Sequence, residues 1–303
     1  MSYKIIYCDG DSWTAGDLLD PKLEKKGINW VNDPLNDNYR LPKVWPHKLG
    51  KIFNNHWPLC DTEIKNNSVA GSSNDGIVRR VLDSIPKLLR QYKPEELCVI
   101  IGWTSPERKD FFTKATGAGM LSHDTRGGGL WETLYPAELT QKQINKDVED
   151  FYKIYLKYFW KIEEFSNRYI EQNLLLHHYL NNLGINHYFF NAFYESSGEN
   201  FNGSLYQKYF ITKRRGLPDE FGQEYIDELK NVHGIMDELL FDEFQKIFKS
   251  NFLPLSFKKY CDVIEPTWSK RYTMNHPNEK MHDEWSKYIY KQIFTKDGYF
   301  HEN

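Results

Sequence analysis

The stretch YKIIYCDGDSWTAGDLL, residues 3–19, carries an apolar run, Ile5 to Cys8, that stops at once in Gly10-Asp11-Ser12, with Gly16 four residues on. A short apolar run ending in glycine reads as a buried strand feeding a tight turn. Lys4 to Cys8 is that strand. Two readings fit its tip. Gly-Asp-Ser is a common turn for conformational reasons alone. A serine at the end of a buried strand is also where a nucleophile sits, provided the rest of the chain supplies a base and donors for an oxyanion.

Working outward, strand and helix signals alternate over the first hundred residues. Trp45, Leu49 and Phe53 repeat at helical spacing and predict a helix over Val44 to Phe53. Thr62 to Asn67 is the second strand. In SVAGSSNDGIVRRVLDSIPKLLRQY, residues 68–92, the positions Ile77, Val78, Val81, Ile85, Leu88 and Leu89 share one helical face. Ser72, Ser73 or Asn74 caps that helix, and Pro86 inside it is expected to kink it. Leu97 to Ile101 is a third, nearly continuous apolar strand. Strands of this kind separated by helices indicate a parallel sheet covered on both faces.

From Lys109 to about Leu139 the periodicity dissolves, and GAGMLSHDTRGGGLWE reads as a glycine-rich loop. Val148, Phe151, Tyr155, Tyr158, Ile162, Phe165 and Tyr169 then make one stripe of a long helix lying across the sheet, capped at Gly184. Ile185 to Phe193 is the fourth strand. Residues from about 194 to 260 are irregular, with a basic cluster at Lys213-Arg214-Arg215 and a helix around Ile235 to Phe248. Trp285, Ile289 and Ile293 mark a last helix starting near Asn278 or Asp283. The expectation is one α/β domain over 1–303. It has three layers (α/β/α) around a flavodoxin-like parallel sheet of about five strands. A large helical insertion occupies about 109–184, and a second irregular region about 194–260.

Bulk properties narrow the function. The formal charge of −3 offers nothing to a nucleic acid or an anionic membrane. Four scattered cysteines without a CxxC pair give no zinc or thioredoxin-like pattern. His177 and His178 lie on the long helix without ligand spacing, so no metal or cofactor is expected. No signal-peptide pattern follows Met1, and no run approaches the ~20 apolar residues of a membrane span. A soluble protein of a reducing compartment is the expectation. Aromatic content of 16 % supplies an ample core, and rings of this kind also line carbohydrate clefts.

Ligands of open parallel sheets bind beyond the carboxyl ends of the strands. There the sequence places Gly10-Asp11-Ser12, then the loop 67–74, then Gly102-Trp103-Thr104-Ser105, and finally Asn275-His276-Pro277-Asn278. In this order and spacing the chain resembles the SGNH (GDSL-type) hydrolases over roughly residues 4–108 and 261–297. The resemblance implies that Ser12 is the nucleophile and His276 its base. It also implies an oxyanion hole built from Ser12, Gly71 and a side-chain donor, Thr104 or Asn74. Two positions depart from the family. Thr104 stands where an asparagine is usual, and Thr273 where an aspartate usually orients the histidine. Asp262, Glu265 or a backbone carbonyl is left to do that. GWTSPER also looks like its counterpart in SGNH-like proteins of tailed bacteriophages, which adds the host cytoplasm or a virion as locations.

The activity so implied is ester hydrolysis through an acyl-serine. The substrate is an O-acylated, first of all O-acetylated, glycan or another small ester. The rival is an SGNH-like module kept for binding or structure. GxSxG is absent, which argues against an α/β-hydrolase. A nucleotide-binding reading has only Gly71 to Gly76 as a phosphate loop, and that loop lacks the P-loop lysine.

Overall fold

The computed structural model describes residues 3–17, 19, 37–113, 123–124, 130–134, 150–151, 154–155, 158–159, 162–193, 238–267, 270, 272–273 and 276–295. Four strands, β1 (Ile5–Asp9), β2 (Glu63–Asn66), β3 (Leu97–Trp103) and β7 (Asn186–Asn191), form one sheet in the order β2-β1-β3-β7. Every pairing in it is parallel. About five strands were expected; beyond these four, the described residues add a single parallel bridge between Phe252 and Phe189 on β7.

β1 and β3 are central and buried at every residue, which is why their sequences run apolar without alternating. β2 lies at the edge and exposes Glu63 and Lys65, charges that discourage pairing with another chain. Alternate strand residues feed two cores, as the two-residue pleat requires. Ile6, Cys8, Cys98, Ile100 and Phe190 face α2 (Trp45–His56) and α7 (Glu279–Phe294), with Trp45, Phe53, Trp285 and Ile289 fully buried against them. Ile5, Tyr7, Val99, Ile101, Trp103 and Phe189 face α3 (Asn74–Leu88), α4 (Ile162–Asn182) and α5 (Glu238–Asn251). The result is the expected α/β/α sandwich.

The helix ends follow local chemistry. Ser73 caps α3, its hydroxyl accepting from the Gly76 N–H at 3.1 Å. Asn278 caps α7 through the Met281 N–H at 3.1 Å. α4 closes at Gly184, with φ of +72°, the Ile185 N–H reaching the Leu180 carbonyl. α3 runs through Pro86 and ends two residues later, so the proline marks its last turn. No helix among the described residues is long and apolar enough to cross a membrane.

Residues 109–134 differ from the expected loop. β4 (Lys109–Thr113), β5 (His123–Asp124) and β6 (Leu130–Leu134) form a separate antiparallel sheet. Its flanks, KDFFT and LWETL, are rich in strand-forming aromatics and threonine. Across them Phe112 pairs with Trp131, ring centroids 5.4 Å apart, and Thr133 donates to Asp110 at 2.7 Å. The glycines between them had masked that pattern, and residues 114–122 and 125–129 lie outside the described part. The aromatic stripe also divides. Phe165 and Tyr169 are buried in the sandwich, whereas Phe151 and Tyr155 pack on Phe111 of β4. Val148 and the cluster Lys213-Arg214-Arg215 lie outside the described residues.

One buried ion pair joins the layers. Arg80 of α3 reaches both oxygens of Asp9, its Nη2 at 2.6 Å from Oδ1 and its Nε at 3.1 Å from Oδ2. Removing one member strands the other charge. Arg80→Met is expected to cost about 3–5 kcal/mol in urea unfolding, with part recovered in Asp9→Asn/Arg80→Met. A single variant within about 1 kcal/mol of the wild type would show the pair to be dispensable.

Candidate active site

The site is assembled at the carboxyl ends of β1 and β3. Gly10 and Gly102 meet there. A Cβ on Gly10 would lie 3.0 Å from the Gly102 carbonyl oxygen, and one on Gly102 would lie 2.6 Å from Phe190 Cζ. Larger residues would push the strand ends apart. Immediately after Gly10 the chain turns into the one-turn helix α1 (Ser12–Ala15), capped by the Asp11 carboxylate, which accepts from the Trp13 N–H at 3.0 Å. Gly16, with φ of +78°, ends α1, and the buried Arg40 guanidinium donates to the Ala15 carbonyl. Ser12 is thus fixed at both ends of its helix, with 6 % of its surface exposed.

His276 arrives from the other end of the chain. It lies on β9 (His276–Pro277), which pairs antiparallel with β8 (Tyr272–Thr273), so His276 and Thr273 are cross-strand partners. Its Nε2 is 2.9 Å from Ser12 Oγ, across 264 residues of sequence. The two residues are brought together by rings that sequence reasoning had not assigned to the site. Trp13, next to Ser12, packs on Tyr272 of the histidine hairpin at 5.5 Å, and on Phe193 and Phe257 at 4.8 and 5.6 Å.

The acids offered for orienting His276 have other contacts. Asp262 accepts from Lys258 Nζ at 2.6 Å and from the Tyr272 hydroxyl at 3.2 Å. Glu265 accepts from the Thr267 N–H and lies 3.6 Å from Lys280 Nζ.

Gly71 lies in the loop before α3 with φ of +74°, a conformation natural to glycine. Ser12 is the first residue of α1, so its N–H has no acceptor within the helix. Both expected side-chain donors bond to neighbouring groups. Thr104 Oγ1 donates its one hydrogen to Asp11 Oδ2 at 2.7 Å. Asn74 and the Thr104 backbone bond reciprocally, Thr104 N–H to Asn74 Oδ1 at 2.9 Å and Asn74 Nδ2 to the Thr104 carbonyl at 3.3 Å. Thr104 and Asn74 both lie beside the turn that carries Ser12, and residue type alone does not say which way a hydroxyl donates.

Below this layer Asp9 is wholly buried. Burial pushes its carboxyl above the ordinary carboxylate value, opposed by the Arg80 guanidinium and the Tyr7 hydroxyl. Arg108, in the GWTSPER run, donates to Asp11 Oδ2 at 3.3 Å and to the Ser72 carbonyl at 3.1 Å. A groove of about 690 Å³ is lined by residues of α3, α4, β4 and β6, and there Arg79 stacks on Trp131 at 3.9 Å. Ser12 and His276 are not among its walls.

His282 is in the first turns of α7 and is completely buried. Its Nδ1 accepts from the Trp45 N–H at 3.2 Å. His177 Nδ1 lies 3.0 Å from His187 Nε2, a contact between α4 and β7.

A model of the family described as a family of unknown function, DUF6071, matches residues 28–207. The chain belongs to that family. The matched stretch contains Gly71, Asn74 and Thr104 but neither Ser12 nor His276. Among solved structures the chain is similar to the psychrotrophic esterase EstA from a Pseudoalteromonas species, at 13% identity over 96% of this chain and 100% of that one, TM-score 0.41. It is similar to Axe2, an acetylxylan esterase from Geobacillus stearothermophilus, at 9% identity over 97% and 96%, TM-score 0.42. It is also similar to AlinE4, an SGNH-hydrolase family esterase, at 13% identity over 97% and 98%, TM-score 0.35. No curated protein matches the chain. Likeness of this order leaves the chemistry to the side chains of this chain.

Burial also sets an acid limit. It holds His282 down to about 3, and His47 and His187 to about 4 each. In the unfolded chain these groups titrate near about 6.5, so the unfolded state takes up protons first. Stability is therefore expected to fall as pH drops from about 6.5 toward 4, by up to about 1.4 kcal/mol per pH unit for each histidine. His282→Leu should flatten this limb in unfolding measured against pH, and an unchanged slope would show that His282 does not contribute.

Proposed function

We propose that this chain is a serine ester hydrolase acting through an acyl-serine intermediate. The observation that carries the reading is the 2.9 Å approach of His276 Nε2 to Ser12 Oγ. A serine hydroxyl is a weak nucleophile until a base accepts its proton, and imidazole does this near neutral pH. In this reading Ser12 Oγ attacks the ester carbonyl while His276 takes the hydroxyl proton. The tetrahedral oxyanion is met by the backbone N–H groups of Ser12 and Gly71. Collapse breaks the ester bond, and His276 returns the proton to the departing alcohol. Water, deprotonated by His276, then attacks the acyl-serine; the Ser12–acyl bond breaks, His276 returns that proton to Ser12 Oγ, and the acid is released. No metal or cofactor enters any step.

The 6 % exposure of Ser12 favours a short acyl group. Acetyl on a hydroxyl of a glycan is the first substrate class proposed, and a small soluble ester the second. The second reading, a binding or structural module such as a virion component, is motivated by Thr104 and Thr273 at positions where the resembling family carries Asn and Asp.

Turnover of p-nitrophenyl acetate and labelling by a fluorophosphonate separate the two. Ser12→Ala should abolish labelling, and Ser12→Ala and His276→Gln should each lower turnover by about 10³ or more. A folded wild-type protein that neither turns over ester nor takes label between about pH 6 and 9 would overturn the hydrolase reading in favour of the module.

A further inference from the structure

The tripeptide Asp9-Gly10-Asp11 places two buried carboxylates on either side of one glycine, and each has its own arginine. Asp9 is held by Arg80, and Asp11 by Arg108. Both arginines also reach Ser72, the residue after Gly71. Arg80 Nη1 donates to the Ser72 hydroxyl at 2.9 Å, and Arg108 Nη1 to the Ser72 carbonyl at 3.1 Å. The loop carrying Gly71 is therefore tied to the turn carrying Ser12 by two charged side chains.

We propose that Thr104 and Arg108 are positioning residues for the reaction, acting through Asp11 and not on the oxyanion itself; the proposal rests on the hydrolase reading above. One oxygen of Asp11 caps α1 at Trp13 N–H. The other accepts from Thr104 Oγ1 at 2.7 Å and from Arg108. The carboxylate thus fixes the start of α1, and with it the backbone at Ser12. Arg108 extends the same restraint to the backbone beside Gly71. The two N–H groups assigned to the oxyanion are held at one mutual spacing before substrate arrives. Donors held in advance cost no reorganisation in the transition state, which is where their value lies. The threonine in place of an asparagine is then a change of role. Its short side chain reaches Asp11, and the stabilisation of the oxyanion passes to backbone donors.

A residue that works by holding others should alter kcat and leave KM unchanged, because ground-state binding does not use the oxyanion contacts. Thr104→Val keeps the shape and removes the hydroxyl. It is expected to lower kcat for p-nitrophenyl acetate by roughly 10- to 100-fold with KM near wild type, as displacement of a catalytic group by about an ångström does, and to lower Tm as well, because buried Asp11 loses its shortest donor. Thr104→Ser, which restores the hydroxyl, should recover most of the rate. Arg108→Met should show a similar loss. Because both act through one carboxylate, Thr104→Val/Arg108→Met should fall well short of the product of the two single losses. Arg108→Lys serves if the methionine variant does not fold. Wild-type kcat in folded Thr104→Val, or losses that multiply independently, would overturn the positioning role while Ser12-dependent labelling persists. Absence of that labelling in the wild-type protein would overturn the hydrolase reading and the positioning role with it.

Discussion

The pair between Asp9 and Arg80 is the constraint on which the rest of the site depends. Both side chains are almost completely buried, at 0 % and 2 % exposure. Withdrawing two charges from water is costly and is offset only when the remaining polar valences are met. Here they are. Asp9 Oδ1 also accepts from the Gly10 N–H at 2.7 Å, and Oδ2 from the Tyr7 hydroxyl at 2.9 Å. Arg80 Nη2 also donates to the Gly10 carbonyl at 3.2 Å, and Nη1 donates to the Ser72 hydroxyl at 2.9 Å. An apolar pair of the same volume would pack α3 on the sheet at least as stably. It would not specify where Gly10 and the loop before α3 come to rest. The interaction contributes register more than free energy.

Above this floor the polar ordering continues through Asp11, while the Ser12 and His276 elements are joined by rings. Trp13 touches Phe193, Phe257 and Tyr272, and so meets residues that flank β7, begin α6 (Phe257–Ile264) and lie in the histidine hairpin. The division has a physical reason. Hydrogen bonds between charged groups fix direction, as an oxyanion site requires. Interlocked aromatic faces bury area and hold two distant segments together without adding a group that would compete for the serine hydroxyl or the imidazole.

Much of this was legible in the sequence, for reasons that differ by element. Ile5–Asp9 and Leu97–Trp103 were visible because central parallel strands bury both faces and therefore read as unbroken apolar runs. Ser12 directly follows β1 and His276 directly precedes α7, and it was the resemblance in their order and spacing that put the two together. The antiparallel strands at 109–134 were obscured by the glycines between them, since a local window weighs GAGM and RGGG more than the short flanks that pair. Arg80 reads as one more exposed cation on the polar face of an amphipathic helix, and only the fold, which brings it to Asp9 across 71 residues, gives it a partner. A histidine at position 282 reads as a helix-start or surface residue; it is at the helix start, and its burial comes from packing on α2, where it accepts from the Trp45 N–H.

Thr104 marks the boundary between what residue type can and cannot tell. A threonine at this position is compatible with a donor pointed at an oxyanion or at a neighbouring carboxylate, and nothing local chooses between them. The choice is made by Asp11, which is wholly buried and would otherwise hold its charge on one arginine contact of 3.3 Å and one backbone N–H. A carboxylate in that setting gains more from a neutral donor at 2.7 Å than an empty site gains from an aimed hydroxyl. Once Thr104 is committed downward, an asparagine in its place would have to find room for a longer amide between Asp11 and Asn74, whose own amide already bonds both backbone groups of residue 104. Asn74 thus secures the end of β3 while the two arginines tie the Ser12 turn to the Gly71 loop, and on the hydrolase reading that leaves the oxyanion to backbone donors.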